Sequence, residues 1–250
     1  MGKLWQRPEQ MLALELYCRT PFGKIHSRNP DIMNLAKILD RTPASVSLKM
    51  ANFAALDPTI DRKGMGNYSK SDAIIWEEFF DNPTAFLSQV ERQHTFKSNQ
   101  SYEFSTPSIR EEFREGTDVL VQTKSRRHQD FFRRMLISTY GGKCALTSIA
   151  QPELLIASHI KPWSVDKKAR LNPRNGILLN ALHDRAFDKG LISFSDNMDL
   201  LISKNFNFSE IAKPFFENSK FNSPEKFHPD PIFLQYHREV IFEKGLKCTS

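Results

Sequence analysis

Three residue types recur here at a spacing that could hydrolyse a phosphodiester bond. A short apolar run from Leu154 ends in Ser158-His159, Asn175 opens a second apolar run, and that run leads into His183-Asp184 and then Asp188. Such hydrolysis needs an activated water, charge stabilisation at phosphorus and help for the departing oxygen, and one divalent cation can serve the last two needs. A histidine suits the first, because its unperturbed pKa lies near neutrality. His159, ending a run that reads as a strand, is the candidate general base. Asn175, opening the next strand, is placed to buttress the intervening loop or to orient His159. The metal needs hard or borderline donors, which His183, Asp184 and Asp188 offer on the helix that follows. Asp184 and Asp188 are four apart and share a face, whereas His183 shares its face with Phe187. With Phe187 expected in the core, His183 is expected to point towards the hairpin and the metal. Which of the three binds the ion stays open.

These residues need a frame of strand, loop, strand and helix, and the flanking sequence reads as elements able to support one. Before it, a basic helix from Ser125 carries Phe131, Phe132, Met135, Leu136 and Tyr140, and Gly141-Gly142 ends it. After it, two alternating runs joined at Ser195-Asp196-Asn197 read as a hairpin. A loop-rich tail then reaches a final helix beyond Pro231. Residues 8–82 read as four helices: one from Pro8, one from Asn29-Pro30, one from Thr42-Pro43, and a short one around Ile74 to Phe80. The second and third of these fit helix-turn-helix spacing, with Ala36 allowing close approach and the turn near Asp40. That motif would present Ser45, Lys49 and Asn52 outward beside Arg41 as DNA contacts, the alternative being a protein-interaction or dimer-forming module. Arg126 and Arg133, like Arg127 and Arg134, are seven apart and form a stripe that could track phosphates. Lys161 is a further candidate contact. The expected division is a helical domain at 1–90, a linker at 91–124 and a catalytic domain at 125–250.

Residues 143–194 closely resemble the HNH endonuclease family with the ββα-metal fold. The resemblance lies in Cys144-Ala-Leu-Thr147, ASHIKPW from Ala157, NGILLN from Asn175 and HDRAFDKGLI from His183, in order and at matching spacing. It is greatest to a bacterial branch of the restriction or defence kind in which a helical domain precedes the nuclease. It implies a hairpin-plus-helix core, one divalent metal (Mg, with Mn or Ni able to substitute) and a double-stranded DNA substrate. The fold class expected is α+β, a helix-turn-helix-like domain followed by the HNH domain. Two departures stand out. Many members carry an acidic residue or histidine before the base, where this chain has Ser158. Many also hold a structural zinc with two cysteine pairs, where this chain has only Cys144, so no structural zinc is expected.

Composition narrows the setting. The 250 residues carry a net charge of +6, which suits a nucleic-acid partner without requiring one. Three widely separated cysteines argue against a disulfide framework and for a reducing compartment. No apolar run is long enough to span a membrane, and Arg7, Pro8 and Glu9 interrupt any signal-peptide core. The expectation is a bacterial cytoplasmic nuclease. Because one such site cuts one strand, double-strand cleavage would need a homodimer, the expected state, or sequential nicking. The rival reading is a DNA-binding regulator or interaction module whose HNH core is inactive, and Ser158 favours it.

Overall fold

Among the described residues, four α-helices begin with a capping side chain followed by proline. Asn29 accepts from the Asp31 amide at 2.9 Å, Thr42 from Ser45 at 3.2 Å, Asn82 from Ala85 at 3.0 Å and Asp230 from Ile232 at 2.9 Å. In each case proline takes the first helical position, where a missing N–H costs nothing. A computed structural model describes residues 3–60, 67–97, 117–207, 213–217 and 220–244. Among them the helices are α1 (Arg7–Arg19), α2 (Pro30–Leu39), α3 (Pro43–Ala54), α4 (Lys70–Asp81), α5 (Pro83–Lys97), α6 (Thr117–Thr139), α7 (Ala181–Asp188), α8 (Pro214–Glu217) and α9 (Pro231–Tyr236). The strands are β1 (Leu155–His159), β2 (Gly176–Asn180), β3 (Ile192–Phe194) and β4 (Leu200–Ile202).

Helix α1 is the central rod. Every residue from Glu9 to Cys18 is buried, because α3, α4, α5 and α6 surround it. Its polar positions therefore need internal partners. Glu9 meets Arg41 at 2.7 Å, Gln10 donates to Asp72 at 2.7 Å, and Glu15 holds Arg19 at 2.8 Å. Helices α2 and α3 pack across the turn expected at Asp40, which adopts the left-handed region (φ 51°, ψ 53°) that a short polar side chain tolerates.

The outward cations expected of that turn need correction. Arg41 lies inward, donating to Lys3 O, Leu4 O and Glu9 while its guanidinium sits 4.1 Å from the Trp5 ring. Lys49 is buried and spans both oxygens of Asp72 at 2.8 Å. The cause is the same at both positions: a carboxylate taken out of water requires a cation beside it. Ser45 and Asn52 are half-buried.

Helix α5 starts within the expected helical domain and runs on into the first residues of the expected linker. Asn82-Pro83 repeats the capping signal, and Phe86, Leu87 and Val90 enter the core. Helix α6 begins at Thr117, ahead of the expected Ser125, and residues 98–116 of the proposed linker lie outside the described residues. Strands β1 and β2 pair antiparallel from Leu155↔Asn180 to His159↔Gly176, and α7 follows β2 directly. The expected second hairpin forms as β3 and β4. The last helix is shorter than expected: α9 passes into a π-helical turn at His237–Ile241 and the chain then reverses, Glu243 N–H donating to Gly190 O at 3.0 Å. Gly190 allows this approach, having φ +66° and a Cβ position only 2.2 Å from Ile241 O.

The helical and hairpin halves share one hydrophobic cluster. Polar ties cross between them as well. Buried Lys226 donates to the carbonyls of Tyr17, Cys18 and Thr20 at the end of α1, at 2.6, 3.1 and 2.8 Å. Asp57 accepts from Phe227 N–H at 2.9 Å and faces Arg174 at 3.5 Å. No helix among the described residues is long and apolar enough to cross a membrane.

Candidate active site

His159 closes β1 and its ring is held on three sides. Phe132 of α6 stacks on it at 4.0 Å and 9°, and Trp163 meets it edge-on at 5.3 Å. Nε2 lies 2.9 Å from Arg170 O. A carbonyl only accepts, so Nε2 carries the proton, and in the neutral ring Nδ1 keeps its lone pair. Burial pushes the His159 pKa below its usual 6.5 against the raising effect of that bond, so the neutral ring is favoured at neutral pH. A neutral imidazole fixed at one nitrogen and basic at the other can take a proton from water.

Phe132 can lie this close because the residue paired with His159 is Gly176. A Cβ there would come within 2.6 Å of both Phe132 and Leu136. Asn175, also buried, clamps the loop between the strands. Its Oδ1 accepts from Lys161 N–H at 2.8 Å, and its Nδ2 donates to Lys161 O at 3.1 Å and Ala169 O at 3.2 Å. No direct bond from it to His159 is seen; it holds the backbone one residue before Arg170, whose carbonyl meets His159 Nε2. Of the two tasks expected of Asn175, loop buttressing is the one its contacts perform.

On α7, the Asn180 side chain caps the first turn by accepting from the His183 amide at 3.0 Å. Ser158 donates to Asp184 at 2.5 Å, so the residue beside the base and the first helix carboxylate meet directly. Asp188 is exposed at the helix end. Partial burial of its carboxyl group, with the Asp184 charge one turn away, pushes its pKa above the usual carboxylate value.

His183 needs correction. It is fully buried, with Nδ1 3.0 Å from Asn180 Oδ1, Nε2 2.8 Å from Phe215 O and its ring 4.8 Å from that of Phe216. Sharing a face with Phe187 sends it into the core against α8, where both nitrogens face protein oxygens, and the neutral ring can donate to only one of them. Burial lowers its pKa.

Two carboxylates one helical turn apart, with the Ser158 hydroxyl on one of them, are donors suited to a hard cation such as Mg²⁺. That ion commonly binds one or two carboxylates and keeps several waters. Among the described residues no three His, Cys, Asp or Glu side chains form a group that could hold a metal ion. Cys144 Sγ accepts from Asn180 N–H at 3.2 Å and tightens the start of α7.

The other expected contacts divide. Arg126 and Arg127 are exposed on α6. Arg133 is corrected: its guanidinium donates to Leu155 O at 2.5 Å and Pro152 O at 2.8 Å, occupying carbonyls at the start of β1. Lys161 pairs with Asp166 at 2.9 Å and lies 5.2 Å from the Tyr236 ring. Sequence reasoning missed the Arg170 carbonyl, which no residue type announces, and took Phe132 for core packing alone. It read Ser158 only as a missing ligand.

A comparison with curated proteins finds no match to the chain. Over residues 144–195, which hold β1, β2, α7 and every candidate residue of this site, the chain matches the family model described as HNH endonuclease, and the match points to nuclease chemistry.

Proposed function

We propose that the protein is a metal-dependent endonuclease that hydrolyses phosphodiester bonds in double-stranded DNA, with His159 as general base. The observation that carries this reading is the His159 ring, neutral by burial and bonded through Nε2 to Arg170 O. In this reading Nδ1 takes a proton from the attacking water, while the Nε2 bond keeps the ring aligned. Asn175 holds the loop that supplies the orienting carbonyl and is a positioning residue. Asp184 and Asp188 hold one divalent ion, Mg with Mn or Ni able to replace it. When bound, the ion would neutralise charge developing at phosphorus and on the leaving oxygen. Ser158 keeps the Asp184 carboxylate turned towards β1.

Restriction or defence against foreign DNA is the role proposed on the strength of the resemblance. Cutting both strands then calls for a homodimer or two successive nicks. The His159→Ala protein, assayed for plasmid nicking with Mg²⁺, Mn²⁺ and Ni²⁺, is expected to lose cleavage by at least about a hundredfold while still binding DNA. Cleavage at the parent rate would overturn the assignment.

A second reading, a DNA-binding protein with an inactive core, is favoured by the inward His183 and by the hydroxyl of Ser158 where an ionised or imidazole ligand would stand. Absence of nicking by the unmodified protein with all three metals decides for it.

A further inference from the structure

The loop between β1 and β2 concentrates charge. Residues 161–170 hold Lys161, Lys167, Lys168 and Arg170 against the single carboxylate of Asp166, half the net charge of +6 in ten residues. Two of these cations are used internally. Lys161 binds Asp166 at 2.9 Å, and Arg170 donates to Trp163 O at 2.7 Å while lying 5.1 Å from the Trp163 ring. Lys167 and Lys168 are exposed, as is Val165 at 52%.

The loop is braced from inside. Asn175 grips it at Lys161 and Ala169, and Asp166 accepts from the backbone amides of Lys168 and Ala169 at 3.0 and 3.1 Å. Both ends touch the base as well: Trp163 packs on the His159 ring and Arg170 O takes its Nε2 bond. Asp166 is thereby paired with Lys161 and held against the loop's own backbone, leaving Lys167 and Lys168 as the exposed charges of the loop.

We propose that this loop is a docking element for the DNA backbone, with Lys167 and Lys168 each contacting a phosphate next to the one being cut. The occupant is argued from charge: two ammonium groups on a braced support match a polyanion. Their place, a few residues beyond His159 on a loop bonded to its ring, puts that polyanion beside the base. The inference rests on the nuclease reading and deepens it, since binding strain in the loop would pass through Arg170 O to the orientation of His159. The exposed part of α3 offers no comparable charge, because its lysine is buried against Asp72.

The test uses the full chain carrying His159→Ala, so that DNA survives, and a fluorescent double-stranded oligonucleotide of mixed sequence. Adding Lys167→Gln with Lys168→Gln should weaken binding about tenfold at moderate salt and lower the slope of log K against log salt by about 2, near 0.9 for each lost phosphate contact. A control pair of exposed lysines in the helical half, Lys24→Gln with Lys70→Gln, should leave both quantities close to the parent. Unchanged affinity and slope in the loop variant, or an equal loss in the control, overturns the docking assignment while the nuclease reading stands. If the parent fails to bind DNA at any salt concentration, the nuclease reading falls and the loop proposal falls with it.

Discussion

Whether His159 can act as a base depends on groups that do not themselves react. Arg170 O selects the tautomer, Phe132 covers one ring face and Trp163 stands perpendicular to the ring. The pKa of His159 is lowered, so the neutral, proton-accepting form persists to a pH below the ordinary value of 6.5. Activity should therefore be flat through neutrality and fall only as the pH drops below about 6.5, where the ring gains its proton. A profile of kcat/KM against pH checks this, and an acid limb centred above 6.5 would contradict it. At the same scale, His183 and Asp184 show how neighbours on a helix separate. One residue of difference turns a side chain through about 100°, which puts the histidine in the core and the carboxylate beside Ser158.

At the scale of elements, the site is a contact between α6 and the first hairpin. Gly176 is the point of closest approach, and its missing side chain leaves room for Phe132 over His159. Gly176→Ala should cost about 1–3 kcal/mol through overpacking and push Phe132 off the imidazole. The partly released ring gains solvent, so its pKa should rise towards 6.5 in an NMR titration. Parent-like melting together with an unmoved His159 titration would show that the contact is not controlling. The long reach of α6 explains why its aromatic residue matters to chemistry: the same helix packs on α1 and carries Phe132 to β1.

For the whole molecule, the C-terminal segment binds the halves together. Lys226 caps α1, Asp57 receives Phe227, and His237 fills the space under α7, stacked on Phe187 at 3.7 Å. The His237 nitrogens meet Ser193 Oγ at 2.9 Å and Phe187 O at 3.1 Å, and burial pushes its pKa down to about 4. Between pH 6.5 and 4 the unfolded chain therefore binds a proton that the folded chain refuses. Stability contributed by the neutral ring is full above pH 6.5 and is lost as the pH falls to about 4, by roughly 3 kcal/mol in all. His159 and His183 act in the same direction. Urea titrations across that window should show the loss, and His237→Gln should make it shallower. Equal acid sensitivity in the variant would place the effect elsewhere.

The local features were legible in the residues. Proline after a capping side chain marked α2 and α3, alternation marked the second hairpin, and the spacing of His159, Asn175 and Asp184 marked a strand, loop, strand and helix. Such signals are written in neighbouring residues, because caps, turns and periodicity act over a few positions. The same signal at Asn82-Pro83 marked α5 too, but the polar sequence beyond it obscured the helix. Partner choice belonged to the tertiary structure. Arg41, Lys49 and Arg133 have the composition of DNA contacts, yet buried Glu9 and Asp72 and the carbonyls of Pro152 and Leu155 claim them. Nothing in a side chain's type tells whether its charge will meet water or a buried acceptor, since that depends on residues tens of positions away. For the same reason the sequence could single out His159, but only the fold could supply the Arg170 carbonyl that meets its Nε2.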